Sequence, residues 1–310
     1  FLEEGGIYLS EEKPSHYMSE IKSYCRQGGL TFAAGTPKIS FAEGRCLGGG
    51  SEINGGLYHR PPEQILTQWA QDFAIKDIGK AELAPHSIWV EEQLHIKDVQ
   101  SPNNIASTRL QAGAQALNWH TVAVPQWFRD DGASPQKSSI SHTLIPKIID
   151  LGGKIHHKTW VKSIKKTNQK WTIYSIQNGV KKEFESTSVV LAGGAIQTPA
   201  LIKRSGLFKL KPHLACHPMG KVMAQFSETV QHANDPTTIG NIQVKEFDGQ
   251  YTLGCGVSHK GFINQAASLY SDSEAQINKN WQTHAIYYAQ VSGGSRGRIF
   301  NLPFTKDPFV

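Results

Sequence analysis

Residues 44–56 of the chain read GRCLGGGSEINGG, and this stretch decides what kind of fold the chain adopts. Three consecutive glycines, Gly48–Gly50, remove every Cβ from a turn, so backbone N–H groups can come close to a ligand and point the same way. Ser51 and Asn54 add a hydroxyl and an amide that can hydrogen-bond the edge of that ligand. The stretch favours a loop built around a large anionic cofactor, although a tight structural turn uses the same residues.

A second segment, residues 188–202, reads SVVLAGGAIQTPALI. The apolar run Val189–Leu191 predicts a short strand that is covered on both faces, as in a parallel sheet. The pair Gly193–Gly194 would let the next helix begin close to the end of that strand. Thr198 and Pro199 are typical of a helix start, with the threonine as N-cap and the proline in the first helical position. A helix N-terminus beside exposed amides favours an anion.

The chain begins with FLEEGG, residues 1–6. An apolar strand end followed by an acidic residue is typical of the second strand of a dinucleotide-binding fold, where the carboxylate accepts hydrogen bonds from ribose hydroxyls. The glycine-rich phosphate loop of such a fold should precede that strand by roughly 20 residues. No residues precede Phe1 here, so we expect the chain to begin inside the motif.

These three pieces, in this order, resemble the glucose–methanol–choline (GMC) family of FAD-dependent oxidoreductases. The first matches the family signature Gly-Arg-x-Leu-Gly-Gly-x-Ser-x-x-Asn-Gly, with Arg60 and Trp69 downstream. The second matches Gly-Ala-x-x-Thr-Pro-x-Leu-x-x-x-Ser-Gly-Leu over Gly194–Leu207. The segments at 217–220 and 297–299 are similar to later family segments. The resemblance covers essentially the whole chain.

The resemblance implies an α/β fold, in which an incomplete Rossmann-like FAD-binding domain is interleaved with an α+β substrate domain built on an antiparallel sheet. The expected regions are a part of the FAD-binding domain (1–60), a helical substrate or cap region (61–135), a return to the FAD-binding domain (136–210) and a part of the substrate sheet (211–310). Family members also have an opening Gly-x-Gly-x-x-Gly loop and a C-terminal segment with the active-site His. We find neither in these 310 residues. We therefore expect an internal fragment with no catalytic residue of its own.

The resemblance also implies which residues contact FAD. Glu3 occupies the position that contacts the adenosine ribose, and Val161 the position where a strand backbone meets the adenine. Each has a plainer alternative, an exposed strand-end charge for Glu3 and an ordinary strand residue for Val161. The positions expected where the loop wraps the pyrophosphate and the flavin are Arg45, Gly48, Gly49, Gly50 and Ser51. Those expected beside the isoalloxazine ring are Asn54, Gly55 and Gly56. The second signature is expected to contact the cofactor through Gly193, Gly194 and Ala195.

One departure from the family pattern concerns the attachment of the cofactor. Some family members tether the flavin covalently through a His just before the signature Asn. That position is Ile53 here, and an isoleucine side chain cannot form the bond. We therefore predict noncovalent FAD.

The activity that the resemblance implies is oxidation of the CH–OH group of a small-molecule alcohol, with oxygen or a quinone-like compound as the electron acceptor. In such enzymes the flavin accepts a hydride while a His takes the hydroxyl proton. His217 lies in a motif-like segment, but a structural role at the start of the substrate sheet is expected for it. Two alternatives stay open, a lyase that uses the flavin only structurally and a noncatalytic FAD-binding remnant.

Composition limits the other function classes. The net charge is +6, with a pI of about 9.0. The excess positive charge is concentrated in lysines between 154 and 182 that flank β-like runs. This spacing indicates the solvated face of a small meander rather than a surface that binds nucleic acid. No apolar run approaches the roughly 20 residues that span a bilayer, and no metal site is predicted. The four cysteines lack CxxC spacing, so free and mostly buried thiols are expected.

Periodicity predicts several further elements. Three helices are expected. One starts at Pro61–Pro62, and one covers 103–119 with an apolar stripe of Ile105, Leu110, Ala114 and Leu117. The third runs from Ser138 or Ser139 to Leu151, with Gly152 and Gly153 as its C-cap signal. β-like runs at 160–164 and 171–176 predict the meander, and short alternating runs after about 213 predict an antiparallel sheet.

Overall fold

The computed structural model describes residues 1–8, 22–96, 102–129, 136–207, 211–232, 239–268, 273–291, 296–302 and 305–310. The α-helices that begin and end within these ranges are α1 (Gly50–Ile53), α2 (Glu63–Phe73), α3 (Lys80–Gln93), α4 (Ile105–Ala116), α5 (Leu144–Asp150), α6 (Gly194–Arg204), α7 (Lys260–Ala267) and α8 (Glu274–Lys279). Two short 3-10 helices cover Arg26–Gly29 and Trp281–Thr283. The strands are β1 (Thr31–Ala33), β2 (Ile39–Phe41), β3 (Thr121–Ala123), β4 (Phe128–Arg129), β5 (Gln136–Lys137), β6 (Thr159–Thr167), β7 (Lys170–Gln177), β8 (Val180–Ser186), β9 (His213–Ala215), β10 (Met219–Gln225), β11 (Ile242–Val244), β12 (Tyr251–Cys255), β13 (His284–Val291) and β14 (Arg296–Arg298).

The largest sheet is antiparallel and has the strand order β10-β13-β12-β11-β3. Its longest pairing joins β10 to β13, from Met219 opposite Gln290 to Gln225 opposite His284. A second sheet, β6-β7-β8, is the predicted meander, in which each strand pairs antiparallel with the next. Short pairs join β1 to β2, β4 to β5 and β9 to β14. The antiparallel sheet and the meander expected from the sequence are therefore confirmed.

The predicted strand at Val189–Leu191 is wrong. These residues follow β8 as an irregular segment, and the Val190 side chain is 89% exposed. A strand needs a neighbour that accepts its backbone hydrogen bonds, and no described strand runs beside this segment. Among the described residues, parallel pairing is limited to two isolated bridges, Leu2 with His156 and Gly6 with Cys46.

Two helix starts also differ from the prediction. Helix α6 begins at Gly194, so Thr198 is not its N-cap and Pro199 lies inside it. Packing explains the extra turn, because Ile196 and Ala200 lie on one helix face and are both buried against Ile299 and Val310. Tertiary burial therefore overrides the local proline signal.

Helix α5 begins at Leu144 rather than at Ser138 or Ser139, because both serines are buried in contacts with other segments. It ends before Gly152, which has the left-handed φ that was expected of a helix-terminating glycine. Helix α2 follows Pro61–Pro62 as predicted.

Helix α4 lies within the predicted range, and the Asn104 side chain caps it by accepting a hydrogen bond from the Ser107 N–H. The predicted apolar stripe of Ile105, Leu110, Ala114 and Leu117 is only partly right, since Ala114 is buried and Leu110 half-buried. Ile105 and Leu117 are exposed, and the buried residues are Ala106, Ser107 and Ala114.

The central hydrophobic cluster joins α7 and α8 to the large sheet. It consists of Ile263, Ala267, Ile277, Trp281 and Ile286. Three of the four cysteines are also buried, as expected, and only Cys216 is exposed. Every helix in the described ranges is too short or too polar to cross a bilayer.

This packing predicts that Ile263→Ala destabilises the protein strongly. Ile263 is 0% exposed, so the truncation leaves a cavity and should lower the free energy of unfolding by about 2–5 kcal/mol. The matched control is Ile149→Ala, the same change in helix α5 at a side chain that is 54% exposed. Urea denaturation should show a change of no more than about 0.5 kcal/mol for the control. Equal losses for the two variants would contradict this assignment of the core.

Candidate functional site

The chain start packs against the glycine loop, backbone against backbone. The Leu47 N–H donates to the Gly6 carbonyl at 2.9 Å. A Cβ at Gly5 would collide with the Arg45 carbonyl, and a Cβ at Gly44 would collide with the Gly49 carbonyl. Glycine is therefore required at both positions. A side chain at Gly5 would separate the chain start from the loop, and one at Gly44 would prevent the loop from folding back on itself.

On its other side the glycine loop is open. Gly48 and Gly49 have φ angles of +92° and +56°, and Gly50 begins helix α1. A Cβ at Gly49 or Gly50 would meet nothing within 4 Å. Within the described residues, the Gly50 N–H donates to no protein acceptor. This arrangement is a cradle of bare backbone at the start of a short helix, and its chemistry fits an anionic group.

The two polar side chains of the loop bind protein groups. The Ser51 hydroxyl donates to the Gly48 carbonyl at 2.7 Å and accepts from the Ile140 N–H at 3.0 Å. The Asn54 side-chain oxygen accepts from the Gly56 N–H at 3.1 Å. Their hydrogen bonds therefore hold the loop and the turn that follows it.

Residues of the segment 137–141 hydrogen-bond to helix α1 and to the residue that follows it. The Lys137 ammonium donates to the carbonyl of Glu52 at 2.7 Å and to the carbonyl of Asn54 at 2.8 Å. The Glu52 carboxylate accepts from the Ser139 hydroxyl at 2.9 Å and from the Ser141 N–H at 3.4 Å. Burial lowers the pKa of Lys137 to about 8, while the nearby Glu52 charge opposes that shift.

The second glycine turn belongs to a chain segment that is hydrogen-bonded to the segment of the first. Gly194 has a φ of +82°, and a Cβ there would meet nothing within 4 Å. Gly193 and Ala195 are exposed on the same turn. In the first turns of α6, the Gln197 amide donates at 3.5 Å to the carboxylate of Glu43, the residue before Gly44. This hydrogen bond joins the two segments that the sequence places about 150 residues apart.

A buried ion cluster supports this junction. Arg26 is 4% exposed and lies among three carboxylates. Its guanidinium contacts Glu4 at 2.7 Å, Glu43 at 3.5 Å and Asp307. Lys306 also binds Glu4, at 2.7 Å.

The pKa values follow from this crowding. Burial alone would raise the pKa of Glu4, but hydrogen bonds and charge from Arg26 and Lys306 lower it. Burial raises the pKa of Glu43 in spite of its contact with Arg26.

Glu3 and Val161 do not line the open cavity of about 460 Å³, but each is adjacent in the chain to a residue that does. The Glu3 carboxylate accepts from the Gly5 N–H at 2.7 Å, and burial raises its pKa. The Val161 carbonyl accepts from Arg204 at 3.4 Å beside a bulge in β6. The cavity itself is lined by Glu4, Arg45, Lys158, Trp160 and Lys306, among others.

The amino-acid sequence matches the family model described as GMC oxidoreductase over residues 21–225, more than half of the chain. The chain belongs to the GMC oxidoreductase family. The resemblance carried by the two glycine signatures is thereby confirmed.

Relatives of the GMC chain agree with this assignment. It is 29% identical over 328 aligned residues to an uncharacterized GMC-type oxidoreductase, y4nJ, of Sinorhizobium fredii (strain NBRC 101917 / NGR234), with 100% of this chain and 64% of the relative covered. An oxygen-dependent choline dehydrogenase of Staphylococcus aureus (strain JH9) is 23% identical over 198 residues, with 56% of this chain and 35% of the dehydrogenase covered. The GMC chain thus spans less than two thirds of the length of these relatives.

Solved structures share the fold. Pyridoxine 4-oxidase from Mesorbium loti superposes with a TM-score of 0.69 at 15% identity, over 99% of this chain and 69% of that chain. Formate oxidase from Aspergillus oryzae RIB40, solved as an R554K variant to study FAD modification, gives a TM-score of 0.67 at 10% identity, over 100% and 71%. The GMC oxidoreductase fold expected from the sequence is therefore confirmed.

Sequence reasoning missed the residues that hold the GMC glycine turns in place. Arg26 and Lys137 lie outside both signatures, and one basic residue among 32 carries no positional signal. The serine pair Ser138–Ser139 was interpreted as a helix start, although it marks the segment that binds α1. A buried role for these groups could be found only from the tertiary packing.

The ion cluster predicts that Arg26→Met destabilises the GMC chain much more than a surface ion-pair variant does. Removing the guanidinium takes the shared countercharge from three partly buried carboxylates and leaves Lys306 and Arg45 beside Glu4 alone. Breaking a fully buried ion pair costs about 3–5 kcal/mol, and we expect the lower end of that range here. Arg109→Met is the matched control, because Arg109 pairs with Glu228 on the surface and such pairs contribute about 0–1 kcal/mol. Urea denaturation measures both. A loss below about 1 kcal/mol for Arg26→Met would show that the cluster is not buried in solution.

The Lys137 environment predicts a pH dependence. Between the folded pKa of about 8 and the ordinary lysine pKa of about 10.4, the unfolded chain binds more protons than the folded chain. The free energy of unfolding should therefore rise with pH across this window. We expect wild type to gain about 1–3 kcal/mol relative to Lys137→Met between about pH 7.5 and pH 10.5. The control is Lys147→Met, at an exposed lysine of α5, which should gain as much stability with pH as wild type. If the difference in free energy of unfolding between wild type and Lys137→Met did not change with pH, the lowered pKa of Lys137 would be refuted.

Proposed function

We propose that this GMC chain forms the FAD-binding part of an oxidoreductase that acts on the CH–OH group of a small-molecule alcohol. The observation that carries the proposal is the hydrogen bond from Gln197 to Glu43, because it links the two chain segments that contain the glycine turns. Each turn has glycines with open space where a side chain would be. Exposed backbone N–H groups at such glycines can bind phosphate, and the open space can accept the planar ring of a large cofactor.

FAD is the cofactor expected from the family, and a formate oxidase relative is described by the modification of its FAD. The residues present fit this group, because the cradle at Gly49 and Gly50 is open and bears an unpaired N–H. We place the pyrophosphate side of FAD at Arg45 and Gly48 to Ser51, and the flavin ring beside Asn54 to Gly56. The second turn would contact the cofactor through Gly193, Gly194 and Ala195, with Glu3 at the ribose and the Val161 backbone at the adenine.

When bound, FAD accepts a hydride from the carbon that bears the alcohol. The chain's own part is to bind and orient. The loop amides would counter the negative charge of the phosphates, and the fixed turn at Asn54 would set the position of the ring. Ile53 leaves no nucleophilic nitrogen at the position used for covalent attachment, so the cofactor is held without a covalent bond.

The names of two relatives support an alcohol donor. Pyridoxine and choline, which name an oxidase and a dehydrogenase among the similar proteins, each carry a primary hydroxyl. The electron acceptor in our proposal is oxygen or a quinone-like compound. The interleaved regions expected from the sequence remain part of the proposal, with 1–60 and 136–210 binding the cofactor and 61–135 and 211–310 binding the substrate.

The cofactor cradle is tested by filling it. Gly50→Leu adds a side chain to open space at the start of α1 and should weaken FAD binding at least tenfold, by about 1.4 kcal/mol or more. Gly113→Leu is the matched control, because Gly113 is also exposed and helical, and a Cβ added there would also meet nothing within 4 Å. Fluorescence titration of FAD into the protein produced from its complete native gene measures both constants. Equal affinities for the two variants would place the cofactor elsewhere.

The reaction is tested with the FAD-loaded protein under anaerobic conditions. Aliphatic, aromatic and sugar alcohols are added in turn, and the loss of the yellow flavin absorbance is recorded. Bleaching by an alcohol supports the proposed oxidoreductase, and readmitted oxygen or an added quinone then identifies the acceptor. Bound flavin that no alcohol bleaches would contradict the proposal and would favour a lyase with a structural flavin.

Mass spectrometry of the denatured protein tests noncovalent binding, since a flavin adduct would refute it.

A further inference from the structure

The segment 137–141 is an unusual concentration of buried polar groups that neither glycine signature includes. Lys137 is 7% exposed, and the three serines of the segment, Ser138, Ser139 and Ser141, are buried too. Burying a charged or hydroxyl group is unfavourable unless it is hydrogen-bonded. In this segment, the Lys137 ammonium and the Ser139 hydroxyl reach helix α1, which begins the open part of the glycine loop.

Helix α1 has only four residues, so its geometry depends on contacts from outside. The last carbonyls of a helix lack partners within the helix, and they carry partial negative charge. Lys137 satisfies two carbonyls at this end, those of Glu52 and Asn54, at 2.7 and 2.8 Å. The same side chain therefore neutralises the helix end and fixes where the next residues begin.

The residues that follow α1 are held just as closely. A Cβ at Gly55 would contact the Ile239 side chain at 2.6 Å, and a Cβ at Gly56 would contact the Trp127 ring at 2.6 Å. Gly56 also has a φ of +71°. The turn after Asn54 therefore has little freedom to adjust if its first carbonyl moves. Loss of the Lys137 hydrogen bonds should therefore shift the backbone of α1, which begins at the cradle, and also the backbone of this turn.

From these contacts we infer that Lys137 is a positioning residue for the cofactor, acting through the backbone carbonyls of Glu52 and Asn54 rather than by touching the cofactor. The inference rests on the proposed function, because the cradle at Gly50 and the turn at Asn54 are our proposed FAD contacts. Ser139 and Ser141 assist by holding the Glu52 carboxylate, which faces Lys137 in the same buried region.

The test compares Lys137→Met with Lys147→Met in the protein produced from its complete native gene. Methionine keeps the apolar length of the lysine side chain and removes its donors. The Lys147 ammonium binds only the Gln93 side chain among the described residues, so its loss should not affect the loop. Lys137→Met should raise the FAD dissociation constant at least tenfold and alter the visible flavin spectrum. Lys147→Met should stay within twofold of wild type, with an unchanged spectrum.

A further variant separates positioning from simple loss of stability. Ile263→Ala weakens a core cluster that contains no residue of the loop or of 137–141. It should leave the FAD dissociation constant within about threefold of wild type for the folded fraction. If Lys137→Met does not fold, Lys137→Gln replaces it, since the amide can still donate to one carbonyl and an intermediate loss of affinity is expected.

The outcomes are distinct. An FAD dissociation constant within twofold of wild type for Lys137→Met, or for Lys137→Gln where it is used, overturns the inference and leaves the proposed function intact. An equal loss of affinity in Ile263→Ala also overturns it, because the effect would then be one of general stability. Failure of wild type and Lys147→Met to bind FAD overturns the proposed function and this inference together.

Discussion

The close approach of bare backbone at Gly5 and Gly44 is the constraint on which the candidate site depends. Without a Cβ at either position, the chain start can lie directly on the Arg45 carbonyl and the loop can fold back on its own Gly49 carbonyl. Four backbone hydrogen bonds that involve residues 3–6 then tie these segments together. One is donated by the Leu47 N–H to the Gly6 carbonyl, and the other three join the chain start to residues 156–159. The loop is packed on one side, which leaves its other side open for a ligand.

Such close packing creates a problem of charge. The segments that meet here bring Glu4, Glu43 and Asp307 into one place, and carboxylates that close together repel one another. Arg26 resolves this by lying among all three. The cluster does more than balance charge, because Glu43 also accepts the hydrogen bond from Gln197 and so links the second glycine turn to the first. The geometry of the proposed cofactor site and the stability of this region therefore depend on the same few ionic contacts.

Some of the molecule could be predicted residue by residue. The glycine runs indicated turns that only glycine permits, Gly152 marked the end of helix α5, and alternating runs indicated antiparallel strands. The strand at Val189–Leu191 could not be predicted correctly, because its composition suits a buried strand while its exposure depends on which strands lie beside it. The start of α6 was also misplaced, since the burial of its first turn against distant residues outweighs the signal from Pro199.

By itself, the sequence determined the family, the two glycine turns and the antiparallel part of the fold, because these features are written in local residue types and their spacing. Only the tertiary structure decided how the turns meet and what holds them, since Arg26 and Lys137 act through partners far away along the chain. A single lysine or arginine looks the same in a sequence whether it is solvated or buried. Its role is settled by the carbonyls and carboxylates that folding brings to it, and by the energetic cost of leaving a buried charge without them.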